Sequence, residues 1–169
     1  MALQISVLGS GSSGNVTFVS NGSANLLIDA GLTCREIERR LATFGVPPST
    51  ITALLLSHEH HDHARAALAF ARKHRTPLFA TEGTFHRLKD RTAPKYKKGE
   101  WLRLKANRSL KLAKMVVDIF PTPHDAAEPV GFAVRQGQLR FSHVTDIGHI
   151  SPAVEEALRG SQALLVESN

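Results

Sequence analysis

The chain has 169 residues, of which 42% are hydrophobic, a formal net charge of +6 and one cysteine; that length and composition suit a single globular domain over residues 1–169. A lone Cys34 excludes an internal disulfide and agrees with a reducing compartment. No apolar run approaches the ~20 residues needed to span a bilayer, and no basic region precedes a long apolar stretch at the amino terminus, so the expectation is a soluble, cytoplasmic protein without membrane association.

Leu3 to Leu8 alternates apolar and polar residues and reads as an opening strand. It runs into Gly9-Ser10-Gly11-Ser12-Ser13-Gly14-Asn15, and Val16 to Ser20 then reads as a second strand. The glycines allow backbone amides to point into a concavity, with Ser12, Ser13 and Asn15 as short polar partners for a phosphate; equally, the loop is a tight hairpin. It is no Walker loop, because no Lys follows and no helix begins. Asn21-Gly22 is a hairpin turn leading to a strand, Ala24 to Ile28, that ends in Asp29-Ala30-Gly31. Thr33-Cys34-Arg35-Glu36 is a capping box. Ile37, Leu41 and Phe44 follow at helical spacing, and Gly45 with Pro47-Pro48 ends the helix. Cys34 falls inside that helix and is read as a packing residue.

Ala53-Leu54-Leu55-Leu56 is a continuous apolar run, the pattern of a buried strand. Ser57-His58-Glu59-His60-His61-Asp62-His63 follows it and precedes an Ala-rich helical pattern from Ala64 to His74. Four His and one Asp within six residues, on a strand-to-helix turn, can converge on one point, whereas along a strand they would alternate between faces. Neutral imidazole with carboxylate is a ligand set for zinc, or for manganese or iron in a more oxygen-rich site.

In the following helix, Ala66, Ala67, Ala69, Phe70 and Ala71 form the packing face, and His74 is read as a solvated terminal residue. Leu78-Phe79-Ala80 is a short strand, and Thr84 to Asp90 a short helix with His86 on its surface. Arg87 to Lys114 holds eleven Lys or Arg against two acids. This segment either suits a phosphate backbone or is a solvated face, and its alternation at 101–104 and 109–112 predicts strands. Its Trp101 and Tyr96 offer base stacking or, for the tryptophan, ordinary packing.

Met115 to Phe120 is another buried strand. It ends in Pro121-Thr122-Pro123-His124-Asp125-Ala126-Ala127-Glu128-Pro129, where prolines on both sides stiffen the loop that presents His124. Gly131 to Gln136 and Leu139 to Thr145 form a hairpin about Gly137-Gln138 that delivers Asp146 at a strand end. His143 reads as structural, and His149 as a side chain that can face the site. Ser151-Pro152 opens a last helix, and Ala163 to Val166 begins another buried strand.

The run His58-x-His60-x-Asp62-His63 after a buried strand resembles the metallo-β-lactamase-fold metallohydrolases, and His124-Asp-Ala-Ala-Glu-Pro129 narrows the resemblance to the YycJ/WalJ-like branch. The resemblance implies an α/β fold of αββα sandwich type, with the amino-terminal portion present and the second half incomplete. It implies two divalent metal ions, zinc before manganese: His58, His60 and His124 on the first, Asp62 and His63 on the second, and Asp146 bridging them. Asp29 would orient the metal loop without touching metal. Glu59 and His61 fall on variable positions and are not expected to ligate. The later histidine that completes the second metal site in the family has no counterpart, so the sequence is expected to be a fragment of a longer protein or one that has lost the missing half.

The function implied is a metal-dependent phosphodiesterase, an exodeoxyribonuclease-like (5′ to 3′) enzyme acting on DNA through a metal-activated hydroxide, with Asp62 also accepting a proton. Ser12, Ser13, Asn15, His149 and the basic segment are the expected contacts to substrate. Two other readings stand beside it: a small-molecule ester or phosphodiester hydrolase on the same fold, and a noncatalytic domain stabilised by metal.

Overall fold

The computed structural model describes residues 2–91 and 101–168. Two sheets carry the molecule. The first contains β1 (Gln4–Gly9), β2 (Val16–Ser20), β3 (Asn25–Ile28), β4 (Ile51–Leu55), β5 (Leu78–Ala80) and β6 (Trp101–Arg103), hydrogen-bonded in that order. The first three run antiparallel, and β3 to β6 are parallel neighbours. Their crossovers are helical: α1 (Cys34–Thr43), then the short α2 (His61–Ala64) and α3 (Ala67–His74), then α4 (Glu82–Arg91). The second sheet has the order β11-β10-β9-β8-β7, from β7 (Arg108–Leu112), β8 (Met115–Pro121), β9 (Val130–Gln136), β10 (Leu139–Ile147) and β11 (Ala163–Ser168), with α5 (Pro152–Leu158) between the last two.

Side-chain alternation along the strands builds three packed apolar interfaces between these elements. Leu26, Ile28, Ala53 and Leu55 point from the first sheet onto Met115, Val117, Phe132 and Val134 of the second. The intervening Leu27 and Leu54 point the other way, onto Ile37 and Leu41 of α1 and Leu68 and Phe70 of α3. Val154 and Ala157 of α5 close over Phe120, Ala133 and Val144. The central strands are therefore covered on both faces, which is why 53–56 is apolar without a break. The result is helices outside, two sheets inside: the αββα sandwich.

Several local expectations change. Thr33 caps α1 by accepting from the Glu36 amide at 3.2 Å, but the Glu36 carboxylate holds Arg39 and Arg40 in place of closing a capping box. Phe44 lies past the end of α1 and is exposed, as is Ala69 on α3. The helix expected over 64–74 is broken at Arg65–Ala66, where the Ala66 amide leaves the helical ladder to bond Ala30 O at 2.8 Å. β11 lies at the edge of its sheet, parallel to β10, and Leu164 and Val166 are exposed on it, so it is not a buried strand. Trp101 stacks on Phe85, with ring centroids 4.1 Å apart, which is the packed reading of that residue. Tyr96 and much of the basic segment lie outside the described residues. No described helix is long and apolar enough to cross a membrane.

Candidate metal centre

The centre forms where the carboxyl ends of β3 and β4 meet the loop after β8 and the end of β10. Asp29 follows β3 directly and is fully buried, with a left-handed φ of 63°, a conformation that Asp adopts more readily than most residues. Its Oδ1 accepts from the Ser57 amide at 2.8 Å, and its Oδ2 lies 2.9 Å from both Ser57 Oγ and His63 Nδ1. It thus ties both ends of the histidine turn to β3. Gly31 sets how close the two segments come: a Cβ there would lie 1.6 Å from Asp62 O, and the neighbouring backbone is bonded from Asn15 N to Asp62 O at 2.7 Å and from Gly31 N to Asn15 O at 2.9 Å.

Ser57 fixes the state of His58. The hydroxyl donates to Asp29 and so accepts from His58 Nδ1–H, 3.0 Å away. That tautomer leaves a lone pair on His58 Nε2, which is buried without a hydrogen-bond partner among the described residues. Burial, reinforced by the charge of His63, pushes the imidazole down to about 3, so the ring stays neutral, as a metal ligand must.

The rings of His58, His60 and His124 sit at the corners of a near-equilateral triangle. Their centroids are 4.7, 4.6 and 4.8 Å apart and their planes are close to perpendicular. His60 Nδ1 and His124 Nε2 face each other across 3.1 Å. Nitrogens about 2.0–2.1 Å from one tetrahedral zinc sit roughly 3.3 Å apart, so this spacing suits a shared ion. His124 comes from the Pro121–Pro129 loop, whose expected rigidity has specific causes. The Ala127 amide donates to Glu59 Oε1 at 2.9 Å, Gly83 N donates to Glu128 Oε2 at 2.9 Å, and Val130 N donates to Ser57 O at 3.0 Å.

A second group, His58, His63 and Asp146, shares His58 with the first, and its ligand atoms also lie within 4.8 Å of one another. Asp146 has φ 55° and sits where the β10–β11 register shifts, so an irregularity in the strand aims its carboxylate at the histidines. Asp146 Oδ2 is 2.7 Å from His63 Nε2 and 3.8 Å from His58 Nε2. Asn15, whose Oδ1 is fixed by the Gly11 amide, brings its Nδ2 to 2.9 Å from the same His63 Nε2. That nitrogen therefore faces a donor and a carboxylate at once. No single protonation state satisfies both, and a cation beside the carboxylate would. Burial alone would push His63 down, but Asp29 and Asp146 lift it to about 10, and its hydrogen bond holds Asp146 down at about 2.

The remaining residues singled out in the sequence fall at different distances from this core. Asp62 is partly exposed, with Oδ2 3.6 Å from His63 Nε2 and 3.5 Å from Asn15 Nδ2, at the margin of the second group. Asn15 is buried among the ligand-type residues, whereas Ser12, Ser13, His61 and His149 are exposed. His143 is buried in β10, as a structural histidine should be, and burial lowers it to about 4. His74 is partly buried and held in an ion-pair geometry, not simply solvated, with its Nε2 2.9 Å from Glu38 Oε1. Sequence reasoning missed Glu59 and the part played by Ser57. The available signal for Glu59 was its place between two converging histidines, where alternation turns a carboxylate toward the protein and demands a partner.

Residues 24–169 match the family model of the Beta-lactamase superfamily domain. The chain belongs to that family, and its fold is the metallo-β-lactamase sandwich. Across its whole length it is 29% identical to "Exodeoxyribonuclease YycJ" of Bacillus anthracis and 27% identical to "Exodeoxyribonuclease WalJ" of Streptococcus pneumoniae, covering 64% and 63% of those proteins. The chain thus spans somewhat less than two thirds of the length of the curated relatives it matches. Among solved structures, the metallo-β-lactamase fold protein YhfI from Bacillus subtilis superposes with a TM-score of 0.73 at 13% identity, over 100% of this chain and 88% of that one. A metallo-β-lactamase with a HARLDQ motif from Cronobacter sakazakii gives 0.75 at 11% identity, over 95% and 69%.

Proposed function

We propose that the chain carries the metal centre of a dinuclear phosphodiesterase that degrades DNA as an exonuclease. The observation that carries this reading is His58 Nε2, a buried acceptor without a hydrogen-bond partner among the described residues, at the junction of two ligand groups. His58, His60 and His124 would hold one ion, and His63 and Asp62 a second, with Asp146 between them. Bound there, such ions supply a hydroxide at neutral pH and neutralise charge on a phosphoryl group. The chain's own residues do the rest. Asp29 and Ser57 hold His58 and His63 in the required tautomers, and Glu59 holds the His124 loop. Asp62, partly exposed and with a free edge, accepts a proton at Oδ1 or Oδ2 and passes it to solvent. Ser12, Ser13 and His149 stand exposed to contact a phosphate backbone, together with the basic residues of 101–114. The substrate class is supported by the names of the curated relatives, both exodeoxyribonucleases.

The test is cleavage of an end-labelled DNA strand by the zinc- or manganese-loaded chain, beside turnover of small phosphodiesters and esters. The expected result is shortening of the DNA, lost in Asp146→Asn, with binding that weakens steeply as salt rises. Turnover of the small esters alone, or binding indifferent to salt, would replace DNA with a small-molecule substrate.

A further inference from the structure

The helix layer holds another convergence of ligand-type side chains, built from none of the residues of the histidine centre. Cys34 opens α1 and Glu38 lies one turn on, so the two share a face. His74, the last residue of α3, meets them from a different helix. Cys34 Sγ is 3.1 Å from Glu38 Oε1, and His74 Nε2 is 2.9 Å from the same oxygen. The sulfur, the imidazole nitrogen and the carboxylate oxygen all lie within 4.8 Å of one another. The buried ring of Phe70, with its centroid 4.6 Å from that of His74, braces the imidazole in this direction. All three residues are only partly buried, so the cluster is open to solvent on one side.

We propose that Cys34, Glu38 and His74 form a separate metal site for a thiophilic divalent ion of the zinc class. Thiolate, imidazole and carboxylate together suit zinc or cobalt and do not suit magnesium or calcium, which take oxygen ligands. An i, i+4 pair on one helix plus a ligand from a second helix fixes three positions of a tetrahedron and leaves a fourth for water. Binding balances as follows: Cys34 loses its S–H proton to solvent and ligates as thiolate, and His74 ligates as neutral imidazole through Nε2. Lys73, whose Nζ now lies 2.8 Å from Glu38 Oε1, moves off that oxygen as the ion takes its place. Burial and then Glu38 hold the free thiol up at about 11, so the ion must displace a proton and occupancy rises with pH. The site would tie the start of α1, just beyond Asp29-Ala30-Gly31, to the end of α3, which leaves the histidine turn. It therefore braces two elements that position the first centre.

Cobalt titration of the full chain tests this, because a thiolate bound to cobalt gives an intense near-ultraviolet charge-transfer band and Cys34 is the one sulfur donor of its kind in the sequence. The expected result is such a band in the parent chain, abolished in Cys34→Ser with about one ion per chain fewer bound, and weakened about tenfold or more in His74→Gln. Zinc should also protect Cys34 from alkylation. Absence of the band at cobalt concentrations that fill the histidine centre overturns the proposal. So does a band of undiminished affinity in both His74→Gln and Glu38→Gln, which would mean binding to the thiol alone. Melting curves of each variant confirm that the comparison is between folded proteins.

Discussion

On one side of His58, the rings of His60 and His124 are half-buried and face each other across 3.1 Å; on the other, His63 is fully buried and held between Asp29 at 2.9 Å and Asp146 at 2.7 Å. The first half presents acceptors on a loop that other residues brace. The second has already balanced its charges internally, with a raised imidazole between two lowered carboxylates. The difference teaches that the two halves should respond differently to proton and metal. An ion entering the first half meets His58, which burial holds neutral, whereas one entering the second must displace the proton on His63. The second half also doubles as a structural clamp, because Asp29 ties the histidine turn to β3.

The largest expected effect comes from opening that clamp. Asp29→Ala leaves His63 and the Ser57 amide buried without their acceptor and should cost the metal-free protein about 3–5 kcal/mol at pH 6, measured by denaturant unfolding. The pH dependence has a definite sign. His63 is raised from an ordinary 6.5 to about 10 in the fold, so its contribution is fully present below pH 6.5 and is lost as pH rises through 10. The gap between parent and variant should therefore narrow over that window. A gap that widened with pH would show that His63 is not held protonated by Asp29.

A smaller effect is expected on the open side. Glu59→Ala leaves the Ala127 amide without its carboxylate acceptor, for a loss of about 1–3 kcal/mol. It should also weaken zinc binding about 10- to 100-fold by freeing the His124 loop. Equilibrium dialysis checks this, and Glu59→Gln, which keeps an acceptor oxygen, should bind nearly as the parent does. Equal affinity in all three proteins would remove Glu59 from the centre.

How much of this was legible in the sequence follows from how local each signal is. The histidine turn, the strand before it and the stiff loop at His124 are continuous stretches, so apolar runs and proline spacing reveal them. The αββα layering came from the resemblance carried by those motifs, and the alternation of Leu26, Leu27 and Ile28 shows in hindsight why two faces are covered. What stayed hidden depends on contacts between distant segments. Asn15 reads as part of a Gly-rich loop, and only the close approach of Gly31 to Asp62 brings its amide to His63. The break at Ala66 is set by Ala30 O, 36 residues earlier in the chain. His74 looks like a terminal surface residue until α1 places Glu38 beside it.

Metal content by elemental analysis, on folded protein in a Cys34→Ser background so that only the histidine centre counts, tests the central claim most directly. The account predicts about two ions per chain and about one in both His124→Ala and His58→Ala, because each variant removes a ligand of the first ion and leaves His63, Asp62 and Asp146 for the second. No metal in the Cys34→Ser protein, or a content unchanged by His58→Ala, would contradict it.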